Sequence, residues 1–390
     1  MALFARLMVL MVIAALFAAP AAMAQTNPDT PRGQVRVQGR PLAEPETPIP
    51  VPAGLSVDLR QQMRAFIQSI STFARRYNRN FSIIPRGGLE LLIKRDPVEE
   101  TRISPARAYM RSIDAVMFEG LFYDKKVFGE PTSSVRLSRN LRLTDIGMNN
   151  GLKVFIVDYA TDHRSIDDSF QRNKSKGYVS TTVHAPMAEL SSLPPYPSRP
   201  YDESSKSIVS LKDVSTFAYI ANSQAYGRAD EFAMKMRDTN YDLLIVDVLH
   251  GRKPLSKNAV ETLKFKKIGA RRMVFATVNL GSAASYRYYW KQTWREGSPS
   301  WIKAPFRDDP DSYNVEFWRP EWQRIISGDT NSYLYGIIAL GFDGVVLEGI
   351  EGAYRFFESG GEEQEEEPTT AAPAAPLQTP AAPAAPAPPR

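Results

Sequence analysis

Short apolar runs alternate along this chain with segments of helical period, and most of the runs stop at a polar group. The clearest case is Phe342 to Leu347, apolar and rich in β-branched residues, which is the pattern of a short buried strand. A helical approach, Asn331 to Leu340, leads into it and ends at Gly341, a residue suited to a left-handed C-cap. Directly after the run come Glu348, Gly349 and Glu351. The same rhythm places strands at Phe81 to Pro85, Ala115 to Phe118, Leu152 to Val157, Tyr178 to Val183, Phe217 to Ala221, Leu243 to Val246 and Met273 to Val278. Helical segments such as Leu59 to Tyr77, Ser165 to Lys176 and Asn258 to Lys267 lie between them. About eight buried strands alternating with helices match a (β/α)8 TIM barrel, an α/β fold. A doubly wound sheet is the rival, but no G-x-G-x-x-G follows the first strand of either half.

The ends of the chain read differently. Residues 1–24 hold Arg6, an apolar core from Leu7 to Ala19 and then Ala22-Met23-Ala24, the pattern of a secretory signal with a small-residue cleavage site. Residues 25–54 are a Pro-rich polar linker, and residues 55–358 are long enough for one barrel. Residues 359–390 carry an acidic run and a Pro/Ala tail that cannot bury a core and is expected to be disordered. The destination is periplasmic or secreted, with no stable membrane span once the signal is removed. The whole chain carries +5; the signal holds one Arg and the tail five Glu against one Arg, so the part between carries +8. That mild basicity comes without a dense basic stripe, which argues against nucleic acid as a partner. There is no cysteine, and His163, His184 and His250 lack ligand spacing, so neither a metal nor another cofactor is expected.

Strands end at Glu119, Asp158, Asp247 and Glu348. In a barrel all strand C-termini open on one face, so these carboxylates would converge. Two carboxylates in different surroundings are what glycoside cleavage needs: one protonates the leaving oxygen, the other attacks, stabilises or activates water. Alone, each could equally be a cap or an ion-pair partner. Between Tyr286 and Trp322 lie all five Trp and several Tyr and Phe, interleaved with Pro, Asp and Arg. That mixture predicts a loop-rich platform for sugar rings more than a buried helix.

Four blocks carry a resemblance: YDLLIVDV (Tyr241 to Val248), VNLGSAASYRYYW (Val278 to Trp290), VEFWRPEWQRII (Val315 to Ile326) and GFDGVVLEGIEGAY (Gly341 to Tyr354). They resemble the TIM-barrel glycoside hydrolases related to endo-α-1,4-polygalactosaminidase. IDAVMFEGLFY (Ile113 to Tyr123), VFIVDYA (Val154 to Ala160) and the Tyr178 strand are similar to that family's other half. The halves stand in exchanged order, which implies a circularly permuted barrel whose old ends are joined by Leu193 to Ser210. By motif match the family's catalytic carboxylates fall on Glu348 and Glu119. This chain has Leu347-Glu348 where the family has Leu-Asp, and Gly281-Ser282-Ala283-Ala284 where it has G-E-A-E.

The resemblance implies an exported enzyme cleaving an α-linked amino-sugar polysaccharide. Glu119 is expected to be the acid, since Phe118, Leu121 and Phe122 would favour its protonated form. Glu348 is expected to be the nucleophile or base. Asp158, Asp247, Tyr286, Arg287, Tyr289, Trp290, Trp318 and Glu351 are the expected substrate-binding residues. The alternative is a catalytically impaired, carbohydrate-binding barrel or an assembly scaffold.

Overall fold

The computed structural model describes residues 58–360, apart from 97, 100, 101 and 308. The expected signal segment and linker lie outside these residues, as does the tail beyond Gly360. The chain is a mixed α/β protein with a central parallel sheet. Its principal strands are β1 (Ser82–Pro85), β2 (Ala115–Glu119), β3 (Lys153–Tyr159), β4 (Val179–Val183), β5 (Phe217–Ile220), β6 (Leu243–Val246), β7 (Met273–Asn279) and β8 (Gly344–Glu348). The main helices are α1 (Leu59–Tyr77), α2 (Ser134–Asn149), α3 (His163–Ser175), α4 (Ala229–Arg237), α5 (Lys257–Leu263), α6 (Pro320–Ser327), α7 (Tyr333–Leu340) and α8 (Ile350–Glu358).

Five strands form one parallel sheet in the order β1-β8-β7-β6-β5, and three form another in the order β2-β3-β4. Arg86 bridges in parallel to Met117, and the Gly87 amide donates to the Met117 carbonyl at 2.9 Å, so β1 and β2 run side by side. At the other edges β4 lies against β5.

Strand alternation sorts the side chains into two cores. One set packs together from all eight strands: Ile84, Met117, Val157, Val183, Phe217, Ile245, Phe275 and Val346 among them. The opposite set, with Ile83, Val116, Ile156, Leu244, Val274 and Leu347, packs against the helices. Helix α1 shows how the sequence commits to that outer layer. Asp58 caps it, accepting from the Gln61 amide at 2.8 Å, and Met63, Phe66, Ile67, Ile70 and Ala74 recur at helical spacing on its buried face.

The connector from Leu193 to Ser210 is seated, not free. Ile208 is 1% exposed and belongs to the core drawn from all eight strands, and its amide donates to the Arg271 carbonyl at 2.8 Å. Lys266 Nζ donates to the carbonyls of Ser204 and Lys206, each at 2.9 Å, and to Asp242 at 2.6 Å. Lys266 and Asp242 are both fully buried. The ammonium therefore uses its three donors on one carboxylate and two connector carbonyls.

In the segment read as a loop-rich platform, Ile302–Pro305 and Ser312–Val315 pair as strands, and Ser282–Ala284 just before the segment completes a three-stranded antiparallel ribbon. Sequence alternation there is too short to stand out from the surrounding aromatics.

Replacing Lys266 with Met should strand the Asp242 carboxylate and two carbonyls, and cost about 3–5 kcal/mol of stability. Urea denaturation of the variant against wild type measures it; a loss below about 1 kcal/mol would show that the connector does not depend on this ion.

Candidate functional site

Alternation along the strands puts Arg86, Glu119, Tyr159, Tyr219, Asp247 and Glu348 on the same side as the core drawn from all eight strands, of which Tyr159 and Tyr219 are themselves part. All lie at strand C-terminal ends or just past them, except Tyr219, next to last in β5. Five of them form one constellation. Arg86 Nη1 contacts Glu119 Oε1 at 2.5 Å and Nη2 contacts Glu348 Oε1 at 3.0 Å. The Tyr159 hydroxyl donates to Glu119 Oε2 at 2.5 Å, and the Tyr219 hydroxyl donates to Glu348 Oε1. Each carboxylate thus has one face on a shared guanidinium and one phenol of its own. The Arg86 guanidinium also stands 5.7 Å from the Tyr219 ring centre.

Local sequence places these groups. Arg86 is followed by Gly87 and Gly88 at φ 78 and 64, where the chain turns sharply out of β1. A Cβ on Gly88 would stand 2.8 Å from Ile350 Cγ2, so only glycine fits there without a shift. Glu351 holds this turn: its Oε2 accepts from the Gly88 amide at 3.2 Å, and its other oxygen pairs with Arg355. Expected as a sugar ligand, Glu351 instead ties the start of α8 to the loop behind Arg86. Gly349, at φ 69, sits against the Asn279 amide oxygen and turns the chain from Glu348 into α8.

The electrostatics correct the expected role of Glu119. Burial pushes its carboxyl up, but Arg86, the Tyr159 hydrogen bond and Lys125 outweigh burial and hold it below the usual carboxylate range. That direction favours the ionised form, against the protonated acid that Phe118, Leu121 and Phe122 suggested. Burial works against the charge on Arg86, but Glu348 and Glu119 overcome it and raise its pKa. Burial and then the neighbouring carboxylates raise both Tyr219 and Tyr159, which stay neutral donors.

Asp247 and Arg287 come together in a second group. Arg287 donates to both Asp247 oxygens at 2.7 Å and to the Tyr333 hydroxyl at 2.9 Å. Asp247 also accepts from the Leu249 amide at 2.8 Å. Tyr286 is 37% exposed and its ring centre lies 5.3 Å from the Arg287 guanidinium. No hydrogen bond or ion pair among the described residues joins this group to Arg86.

Asp158 is not a sugar ligand. It lies on the opposite side of β3 from Tyr159 and is fully buried. It accepts from the Phe122 and Tyr123 amides, from Ser169 Oγ at 2.7 Å and from Asn173 Nδ2 at 2.9 Å. It fastens α3 and the loop after β2, and burial raises its pKa. The aromatic platform is corrected in the same way, because most of these rings pack on each other. Trp301 and Trp322 are buried. Trp290 stacks on Tyr313 at 5.1 Å, and Tyr289 meets Trp322 edge-on at 5.5 Å. Burial pushes the Tyr289 hydroxyl up to about 12. Trp318 packs on Phe357, at the end of α8 far from Glu348.

Arg86, Tyr159 and Tyr219 were missed as site residues. Both faces of their strands are apolar, so the sequence does not show which face each residue takes, and a Tyr within an apolar run reads as core. Among the described residues no group of three or more His, Asp or Glu is placed to hold a metal ion. No helix among them is long and apolar enough to cross a membrane.

Folding lowers the Glu119 pKa, so over that interval the folded chain binds fewer protons than the unfolded one. The stabilisation is full above the ordinary Glu value of about 4.3 and is lost as pH falls through the folded value. Glu90, lowered by Arg139 and Arg60 against its burial, acts in the same direction. Unfolding free energies measured from about pH 7 down to 3 should therefore decline more gently for Glu119→Gln than for wild type. Parallel curves would mean that Arg86 does not hold Glu119.

No protein-family model matches the chain. It is similar to an uncharacterized protein of Methanocaldococcus jannaschii, 31% identical over 130 residues, 33% of this chain and 36% of that one. An uncharacterized protein of Deinococcus radiodurans is 36% identical over 84 residues, 22% of this chain and 26% of its own. One of Thermotoga maritima is 28% identical over 118 residues, 30% of this chain and 35% of its own. The similarity spans about a third or less of these relatives' length.

Proposed function

We propose that the eight parallel strands close into a (β/α)8 barrel, with halves in exchanged order relative to the polygalactosaminidase-like hydrolases, and that the chain cleaves glycosidic bonds with Glu119 and Glu348. The cyclic run of neighbouring strands and an inner core drawn from all eight support the barrel. One observation carries the site: a single guanidinium holds both carboxylates. Its two terminal nitrogens bound the separation of the contacting oxygens at no more than about 8 Å, which is compatible with the carboxyl spacings of glycoside hydrolases.

Hydrolysis needs one of the pair protonated. Burial is the largest influence on Glu119 and acts upward; Arg86 is the first of the groups that hold it down. A sugar that draws Arg86 away from Glu119 removes the first of the groups that hold the carboxyl down and shifts it toward the protonated form that hydrolysis needs. Glu348 retains the guanidinium and the Tyr219 hydroxyl, the surroundings of a nucleophile or base. The family resemblance makes an α-linked amino-sugar polymer the substrate, met after export. A second reading, a barrel that binds sugar without cleaving it, is favoured by the groups that hold the Glu119 carboxyl below its usual range and by the absence of acids from Gly281 to Ala284.

Reducing-end release from amino-sugar polymers, with binding followed in parallel, separates the two. Hydrolysis predicts release by wild type, a loss of about 10²–10⁴-fold in Glu119→Gln and Glu348→Gln, and binding retained in both. Full activity in both variants would sink the carboxylate assignment. Binding by wild type without release would establish the second reading.

A further inference from the structure

Beside Glu348 stands a side-chain amide that the chain orients but does not use up. Asn279 is the last residue of β7 and the register partner of Glu348 across the β7–β8 pair. Alternation along β7 puts it on the same face as Phe275, which belongs to the core drawn from all eight strands. Its Oδ1 accepts from the Gly281 amide at 2.9 Å and from the Ser282 amide at 3.0 Å. Two backbone donors on one atom fix which end of the amide is the oxygen, so Nδ2 is the end left over. The neighbouring backbone makes room for the group. A Cβ on Gly349 would collide with Oδ1 and stand 3.1 Å from Nδ2. Asn279 is exposed, and its Nδ2 has no hydrogen-bond partner among the described residues.

Glu348 is therefore flanked from both neighbouring strands. Arg86, just past β1, and the Tyr219 hydroxyl both contact its Oε1. Its Oε2 has no hydrogen bond or ion pair among the described residues, and the Asn279 amide comes from the β7 side. The charges around it are already matched. Glu119 and Glu348 share Arg86, Lys125 acts on Glu119 as a second cation, and Arg287 covers both oxygens of Asp247. Gly281 to Ala284 add no acid. A further cation here would meet no unmatched carboxylate, and taking it out of water without one is costly. The Asn279 donor offers nothing to an ammonium either, since an ammonium has no acceptor of its own. Nδ2 serves an oxygen. Hydrogen bonds to the sugar's 2-hydroxyl strengthen in the transition state of glycoside cleavage. In a 2-amino sugar, an acetamido group at that position brings a carbonyl oxygen, whereas the free amine brings a positive charge. We propose, resting on the reading of the chain as a hydrolase of amino-sugar polymers, that Asn279 Nδ2 donates to the acetamido oxygen of the sugar seated at Glu348. The site then takes the N-acetylated polymer in preference to the de-N-acetylated one.

Asn279→Asp tests this, because it keeps an Oδ1 for the Gly281 and Ser282 amides and replaces the donor with an anionic acceptor. Calorimetry on the full-length protein would follow the binding of α-linked galactosamine oligomers, fully N-acetylated or fully de-N-acetylated. The pH would be about 6, where such amines carry a proton. Release of reducing ends would be followed in parallel. Wild type should bind the acetylated form about tenfold or more tightly than the free amine. Asn279→Asp should reverse that order. An equal loss for both forms in the variant would make Asn279 a holder of its own turn and overturn the proposal. So would a wild type that binds the free-amine form as well or better, or that binds neither form. Because the preference is read from binding, the two ideas fail separately. Cleavage without preference sinks the role of Asn279 and leaves the hydrolase standing, and preference without cleavage does the reverse.

Discussion

One guanidinium sets the geometry of the inward polar layer. Arg86 comes from the end of β1, Glu119 from β2 and Glu348 from β8, so the contact joins three strands drawn from both parallel sheets. Two carboxylates this close would repel each other if the cation were absent, and would also bear the cost of burial. With it, each charge is compensated, and the two phenols complete the hydrogen bonding. The arrangement depends in turn on the turn behind it. Glycines at 87 and 88 let the chain leave β1 sharply, and Glu351 fastens that turn to α8, whose first residues follow Glu348 directly. The arginine and one of its partners are thus positioned by the same small piece of backbone.

This construction explains why the site reads as charged yet compact. A buried ion cluster contributes little net stability, because desolvation offsets attraction. What it supplies is definition, since the side chains have few other arrangements that satisfy every partner. The second group, Arg287 with Asp247 and Tyr333, follows the same logic with a bidentate pair. Both groups keep the strand ends polar above an apolar interior.

Much of the secondary structure was legible because strand and helix periods differ so clearly. Helix α1 follows its apolar spacing over Leu59–Tyr77, and β6 follows its apolar run over Leu243–Val246. Convergence of Glu119 and Glu348 was also legible, from their common place at strand ends. What could not be read was the parity of each neighbour. Asp158 and Tyr159 are adjacent, and only the strand register decides that the tyrosine joins the carboxylates while the aspartate turns to the helices. The aromatic segment misled for a different reason. Its interleaved polar residues suggested exposure, but antiparallel pairing folds the segment back on itself, and its rings pack on one another. Lys266 gave no warning at all, since a lysine after a helix is ordinarily a solvated one.

The seating of the connector has a consequence for how the polypeptide holds together. Its backbone carbonyls are gripped by Lys266, and Ile208 is sunk among side chains from both halves of the chain. Peptide continuity upstream of that grip, between Leu193 and Asp202, is therefore not what keeps the halves in place. A single cut there would leave two fragments that migrate as one particle under native conditions and separate only in denaturant.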